Sequence, residues 1–286
     1  MSLTADGPNA EQITYWNDQA GPKWVAVQAL IDDQIRPLGH IAMERAGLVA
    51  GERVLDVGCG CGDTSLELAR RVAPGGQVQG IDISAPMLER AAAQAAATGA
   101  AAQFTRADAQ THPFEPAAYD VLFSRFGVMF FADPTAAFTN LRRALRPGGR
   151  MAFVCWQVVT DNPWMFVPFA AALQHLPAPP LPAPGAPGPF AFADADRVRG
   201  ILSGAGFSDI GLEAVHMALS VGGGQDLDAT VDFLLQMGPA ARALRDAPDP
   251  SVVPRVAAAV RDALLPYQTP TGVRMDSASW VVTARA

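Results

Sequence analysis

The chain has 286 residues, half of them hydrophobic, and a formal net charge of −7. That is enough apolar material for one large domain, or for a domain with a cap. The negative balance argues against a polyanionic partner such as nucleic acid, which wants a basic face. Arg142, Arg143, Arg146 and Arg150 form the only local basic cluster, and they read as the solvated end of a helix.

The three cysteines make no disulfide framework. Cys59 and Cys61 lack the further cysteines or histidines that would complete a four-ligand metal site, so no metal is expected. No apolar run approaches the ~20 residues of a membrane span. Met1–Asp6 lacks the charged and apolar regions of a signal peptide, and the expected location is cytoplasmic.

In chain order, residues 1–10 read as disordered. Glu11–Leu48 is helical in pattern, with breaks expected at Gly21–Pro22 and near Pro37–Gly39. Tyr15, Trp16 and Trp24 concentrate aromatic surface there; they either pack the segment onto the domain or close over a ligand. A strand–helix alternation follows. Strands are expected at Arg53–Gly58, Gln77–Asp82, Gln103–Ala107, Tyr119–Ser124 and Arg150–Trp156. Helices are expected at Asp63–Val72, Ala85–Thr98 (behind Ser84 as N-cap) and Thr135–Leu145, the last ended by the Pro147–Gly149 turn. This rhythm implies an α/β fold, a Rossmann-like doubly wound and mostly parallel sheet with helices on both faces.

After Trp156 the rhythm breaks. Asn162–Leu176 is apolar and helical. Residues 177–189 carry seven prolines in thirteen and read as an extended connector. A helix at Asp194–Gly206 leads to a sixth strand, Ser208–Val221. Leu227–Gln236, Pro239–Leu244 and Val252–Leu265 are helical, and Arg274–Arg285 alternates as a seventh strand would. The chain thus divides into a helical segment 1–48, a nucleotide-binding core 49–156, an inserted lid 157–206, and the last strands 207–286 with a helical insertion at 226–266. The insertions bring Trp164, Phe166, Phe169, Phe190, Phe192, Phe233, Leu234 and Met237 toward one edge of the sheet.

The chemistry centres on Val54–Leu55–Asp56–Val57–Gly58–Cys59–Gly60–Cys61–Gly62–Asp63, a buried strand running through alternating glycines into a helix. Side chains there would hold the backbone away from a ligand, and a helix start adds free N–H groups. The dinucleotide fingerprint wants its third glycine where Asp63 stands, and a carboxylate there would repel a pyrophosphate. Asp56 adds a second negative charge. Two carboxylates suit a ligand with a cationic end and no phosphate, and S-adenosylmethionine has that chemistry. Ligands of open parallel sheets lie beyond the strands' carboxyl ends, where Asp82 ends the second strand and can accept both ribose hydroxyls.

The glycine turn, Asp82, Asp108 and the Pro147–Gly149 turn together resemble the class I S-adenosylmethionine-dependent methyltransferases. Within the nucleotide-binding core, about Arg53 to Trp156, the chain is similar to the quinone-biosynthesis C-methyltransferases. The resemblance implies S-adenosylmethionine as cofactor, held by Asp56, Gly58, Cys59 and Gly60. It places Ile83 and Met87 on the adenine, with Asp108 and Ala109 at the adenine edge. Ser124 and Arg125 would lie beneath the methionine part, and Tyr15, Trp16 and Trp24 would wall the site. Methyl transfer to a small, largely apolar acceptor, at carbon or oxygen, is the expected activity. No catalytic base is assigned; of the four histidines, His112 reads as a loop residue. Two other readings stay open: a nicotinamide or flavin oxidoreductase, which Asp63 disfavours, and a non-catalytic cofactor-binding protein. The oligomeric state is not given by these residues.

Overall fold

A computed structural model describes residues 3–180, 183, 185–247 and 249–286. The leading segment forms α1 (Ala10–Asp18), α2 (Ala20–Ala26) and α3 (Gln28–Ala46). The core follows as β1 (Arg53–Val57), α4 (Asp63–Arg71), β2 (Gln77–Asp82), α5 (Ala85–Thr98), β3 (Ala102–Arg106), β4 (Tyr119–Arg125), α6 (Pro134–Ala144) and β5 (Leu145–Trp156). Then come α7 (Pro163–Ala172), α8 (Ala195–Gly204), β6 (Ser208–Val221), α9 (Leu227–Leu234), α10 (Gly238–Arg245), α11 (Val253–Leu264), β7 (Gln268–Thr269) and β8 (Gly272–Arg285).

The strands form one sheet in the order β3-β2-β1-β4-β5-β8-β6, with the two-residue β7 added on β8. The first five pair in parallel, and β8 runs antiparallel to both β5 and β6. Strand order reverses between β1 and β4, so the carboxyl ends of those strands frame the ligand-binding crevice of such a sheet. The central strands are buried on both faces. Val54, Val121, Leu122, Phe123, Ala152, Phe153 and Val154 are wholly inaccessible, as parallel strands covered by helices must be.

Four local expectations change. The leading helix breaks at Gln19 and Val27, not at Gly21–Pro22. Pro22 falls in the first turn of α2, where a missing N–H costs nothing. Pro37 sits inside α3, which continues because Leu38, Gly39, Ala42 and Met43 are buried beyond it. The Pro147–Gly149 turn does not precede β5 but bulges within it. Pairing jumps from Tyr119↔Leu145 to Val121↔Arg150, which loops out the proline that cannot donate to the ladder. Asn9, within the stretch expected to be disordered, is buried. Met1, Ser2, and Leu181, Pro182 and Pro184 of the proline-rich connector lie outside the described residues.

Two contacts fix the crevice. Gly58 (φ +67°) and Gly127, after β1 and β4, meet backbone to backbone: a Cβ on Gly58 would stand 2.7 Å from the Gly127 Cα. Below them, Asp56 is fully buried, and its Oδ2 accepts from Thr64 Oγ1 (2.8 Å) and Ser65 Oγ (2.6 Å) in the first turn of α4. This pegs the helix start to the strand. Burial pushes the Asp56 carboxyl up to about 6, against the pull of those hydroxyls.

Gly58→Ala is expected to cost at least about 2 kcal/mol, because backbone must move as well as adopt a strained φ. Gly148→Ala shares the positive φ (+75°) but meets nothing within 4 Å, and should cost only about 1 kcal/mol. Denaturant unfolding of both variants checks the difference. For Asp56 the folded carboxyl holds its proton to higher pH than the unfolded one. Its stabilising contribution is therefore present below the unfolded value of 3.8 and lost as pH rises through about 6. The stability of wild type relative to Asp56→Asn, measured by denaturant at several pH values, should fall by up to about 3 kcal/mol between roughly pH 4 and pH 7. A constant difference would refute the assignment.

Candidate functional site

The glycine turn sits directly on β2. The Gly58 and Cys59 N–H groups donate to the Ile81 carbonyl, at 2.8 and 3.2 Å. Gly60 N–H donates to Asp82 Oδ2 (2.9 Å), while Asp82 Oδ1 accepts from Ser84 N–H (2.8 Å). Asp82 thus joins the turn to the start of α5. Burial raises its carboxyl above the usual range despite these two donors, and each oxygen keeps a lone pair for a further donor. Met87 packs on the turn: a Cβ on Gly60 would come within 2.9 Å of its Cε.

Asp108, beyond β3, is buried. Its Oδ1 accepts from Gln110 N–H (2.9 Å) and its Oδ2 from Asn9 Nδ2 (2.8 Å). Asn9 Nδ2 also reaches Gln110 Oε1 (3.1 Å), and its Oδ1 accepts from Ala132 N–H (2.7 Å). A second amide, Asn17, does similar work over β2. It donates to the Ile83 carbonyl (3.1 Å) and accepts from Ala85 N–H (2.9 Å). Two asparagines therefore clamp the leading segment across the ends of β2 and β3. Sequence reasoning missed both; an isolated asparagine in a polar segment carries no signal of a partner 68 or 99 positions away. The aromatic residues complete the clamp. The Trp16 ring lies edge-on to Tyr15 (5.7 Å), Trp24 (5.7 Å) and Phe130 (5.4 Å). The Trp16 carbonyl accepts from Ser84 Oγ (2.8 Å). From the far lid, the Arg245 guanidinium lies over Tyr15 at 5.8 Å.

Asp56, Gly58, Cys59, Gly60, Asp82, Ile83, Met87, Asp108 and Ala109 are thus brought to the carboxyl ends of β1, β2 and β3, with Tyr15, Trp16 and Trp24 above. Three further residues of the expected set have protein partners of their own. Cys59 turns its side chain down onto β2, beside Gly80, and burial pushes its thiol well up; only its backbone belongs to the turn. Ser124 is wholly buried, donates to the Val57 carbonyl (2.7 Å) and accepts from Gly127 N–H (3.2 Å), so it braces the two loops. Arg125 is taken up by two ion pairs. It donates to Asp32 of α3 (2.6 Å) and Asp63 of α4 (2.9 Å). Arg36 also reaches Asp63 (3.2 Å). Burial pushes the Asp63 carboxyl up, but Arg125 and Arg36 outweigh it and hold it below its ordinary value.

Asp63 is therefore a neutralised anion, and Asp56 is walled off. Neither carboxylate is free to await a cationic ligand. A cleft of about 350 Å³ between α3 and α4 is lined by Arg36, His40, Asp63, Glu67, Arg70 and Arg125. Its acids are paired with its arginines, and it opens beside the start of α4, which follows the glycine turn.

S-adenosylmethionine fits what remains. Asp82 and Asp108 supply acceptors for hydroxyl and amino groups. Arg125 and Arg36, the basic side chains nearest the helix start, are paired, which suits a nucleoside without phosphate.

Comparison with known proteins agrees. A family model described as a methyltransferase domain matches residues 54–149. The chain is 31% identical to an aklanonic acid methyltransferase of Streptomyces over 180 residues, 60% of this chain and 80% of that protein. It is 41% identical to the demethylmenaquinone methyltransferase of Thermus thermophilus over 111 residues, 39% of this chain and 48% of that one. An uncharacterized Mycobacterium tuberculosis protein matches at 36% over 155 residues, 54% of this chain and 56% of that protein. The chain thus spans about half the length of several curated relatives it matches. Among solved structures, phosphoethanolamine N-methyltransferase 2 of Haemonchus contortus in complex with S-adenosyl-L-methionine shares the fold, with a TM-score of 0.53 at 18% identity, over 87% of this chain and 52% of that one. On the sheet order, the glycine turn and these matches, the chain belongs to the class I S-adenosylmethionine-dependent methyltransferases.

Proposed function

We propose that the protein methylates a small, largely apolar acceptor at carbon or oxygen, with S-adenosylmethionine as methyl donor. The observation that carries this reading is the character of the wall beside the cofactor edge. Phe126 leaves β4 at a positive φ of 60°, and its ring stacks on Trp156 at the end of β5, centroids 4.0 Å apart and planes 13° apart. A strained backbone at a strand's carboxyl end is the kind of feature that the surrounding packing must hold in place for a purpose. Above this stack α7 packs against α10 and α11, two helices from the other insertion. Phe233 and Leu234 of α9 are buried with them, whereas Phe192 belongs to the core beneath, against Phe138 and Phe153. The edge over β4 and β5 is thus aromatic and covered by helices. Most small-ligand sites are apolar with few polar groups. The resemblance to an aklanonic acid methyltransferase and a demethylmenaquinone methyltransferase supports an acceptor of that character.

The cofactor supplies a methyl group on a sulfonium, which leaves as a neutral thioether. The chain's own work is to bind, align and exclude water. Asp82 would hold the ribose hydroxyls, Asp108 the adenine amino group, and Met87 the adenine face. The Gly58–Gly60 backbone lets the ligand approach closely, and the leading segment covers it. No side chain is needed as nucleophile. His112, T-shaped on Phe114 with its ring held below its ordinary basicity by burial, stays a loop residue. The net charge of −7 makes nucleic acid an unfavourable acceptor.

Calorimetry should show micromolar binding of S-adenosylhomocysteine and none of NAD. Asp82→Ala is expected to weaken S-adenosylhomocysteine at least tenfold, since a hydrogen bond to a charged acceptor contributes about 1.5–3 kcal/mol. Unchanged affinity in that variant would refute the ribose assignment. Turnover of amines or oligonucleotides, without turnover of phenols, quinols or isoprenoids, would refute the acceptor class.

A further inference from the structure

We propose that Asn9 is a positioning residue for the base of the cofactor: its amide holds the Asp108 carboxylate so that the protein selects an aminopurine over an oxopurine. This rests on the reading of Asp108 as the acceptor for the adenine amino group. Asn9 stands at the N-cap of α1, yet its side chain makes no capping bond. Asparagine is among the residues preferred there, because its oxygen accepts from first-turn N–H groups. Here that bond is forgone, and the side chain turns instead to an acid 99 positions away.

The polarity of the Asn9 amide is forced by its neighbours. Its Oδ1 accepts from Ala132 N–H (2.7 Å), in the loop between β4 and α6. Its Nδ2 donates to Asp108 Oδ2 (2.8 Å) and to Gln110 Oε1 (3.1 Å). Gln110 Oε1 also accepts from Asp133 N–H (3.1 Å). A flipped amide would set oxygen against two oxygens and nitrogen against an N–H. Asn9, Asp108 and Gln110 are all buried, so a misplaced polar atom there would be costly.

Asp108 needs a second donor to stand still. Its own loop supplies one, the Gln110 N–H on Oδ1 (2.9 Å). One donor leaves the carboxylate plane free to turn about the Cβ–Cγ bond, which is a broad torsion. Asn9 fixes the other oxygen, and the remaining lone pairs then point in one direction. An amino group on the base can donate to them. An oxo group at the same carbon sets acceptor against acceptor. A site built to receive a donor rejects an analogue that lacks it far more strongly than an apolar pocket discriminates by shape. Pinning the leading segment does not by itself call for this arrangement. Asn17 pins the same segment through backbone groups of Ile83 and Ala85 and through Arg106, none of them an acid.

The test uses the full chain and two ligands, S-adenosylhomocysteine and S-inosylhomocysteine, in which an oxo group replaces the amino group of the base. Wild type should bind the first about a hundredfold more tightly, or better. Failure to bind S-adenosylhomocysteine, or equal affinity for both ligands, would overturn the reading of Asp108 and the present proposal with it. Asn9→Ala should lower the preference about fivefold or more. In Asn17→Ala, which loosens the same segment without touching Asp108, both ligands should weaken alike and the preference should stay. A preference kept in Asn9→Ala would overturn the proposal and leave the Asp108 reading standing. An equal loss of preference in Asn17→Ala would overturn it too, because the effect would then belong to the segment and not to the carboxylate. So would tighter S-adenosylhomocysteine binding by Asn9→Ala, the mark of an amide that competes with the adenine amino group. Should Asn9→Ala not fold, the wild-type protein decides through nitrogen–proton NMR of the Asn9 side-chain amide. Its signals should stand at different positions in the two saturated complexes, and identical positions would overturn the proposal.

Discussion

The site depends on one close approach, that of Gly58 to Gly127 where strand order reverses. Two loops from neighbouring strands can meet there only as bare backbone, since a Cβ on either glycine would stand under 3 Å from the other's Cα. Once they meet, the rest follows. The turn after β1 lies over β2 and takes its N–H groups to Ile81 and Asp82. The turn after β4 is forced through a positive φ at Phe126, which throws that ring onto Trp156. The glycine turn over β2 and the aromatic stack on β5 thereby lie on the two sides of one contact.

The contact is braced by polar groups that close a ring around the turn. Gln94 donates to the Cys61 carbonyl (2.8 Å) and to Gln28 (3.3 Å); Gln28 donates to Asp32 (3.0 Å); Asp32 and Asp63 share Arg125. The chain of bonds runs from Cys61 through α5, α3 and β4 back to Asp63. It fixes the turn before any ligand arrives, and preorganisation of this kind lowers the ordering cost of binding. Burial penalises Asp32 and raises its carboxyl, with Arg125 offsetting part of that penalty. Removing Arg125 alone would leave two acids in a poor solvent, so its place is structural although it stands at a strand end where ligand contacts are sought.

The core was readable because its signals are local. Short strands of five to seven residues with apolar centres (β1, β2, β4), glycines at alternate positions and acids at strand ends need no distant partner to be recognised. The strand-end rule found Asp82 and Asp108 for the same reason. It said nothing of the partners that Arg125 and Ser124 take, because those lie elsewhere: Asp32, distant in sequence, for one and the Val57 carbonyl for the other. Asn9 and Asn17 were invisible on the same ground. The tryptophans were legible as a cluster, yet which way Trp16 turned was set by Ser84 and Phe130 on other elements. The proline-rich connector was legible as composition alone.

The central claim is that the glycine turn with Asp82 holds a nucleoside beneath the leading segment. Hydrogen–deuterium exchange with and without S-adenosylhomocysteine tests it most directly, because it reads the backbone at each position. Bound S-adenosylhomocysteine should slow exchange in residues 58–62 and 82–85, and with them in residues 10–24, which the ligand would hold closed. Unchanged exchange in 58–62 and 82–85 on addition of saturating S-adenosylhomocysteine would contradict it.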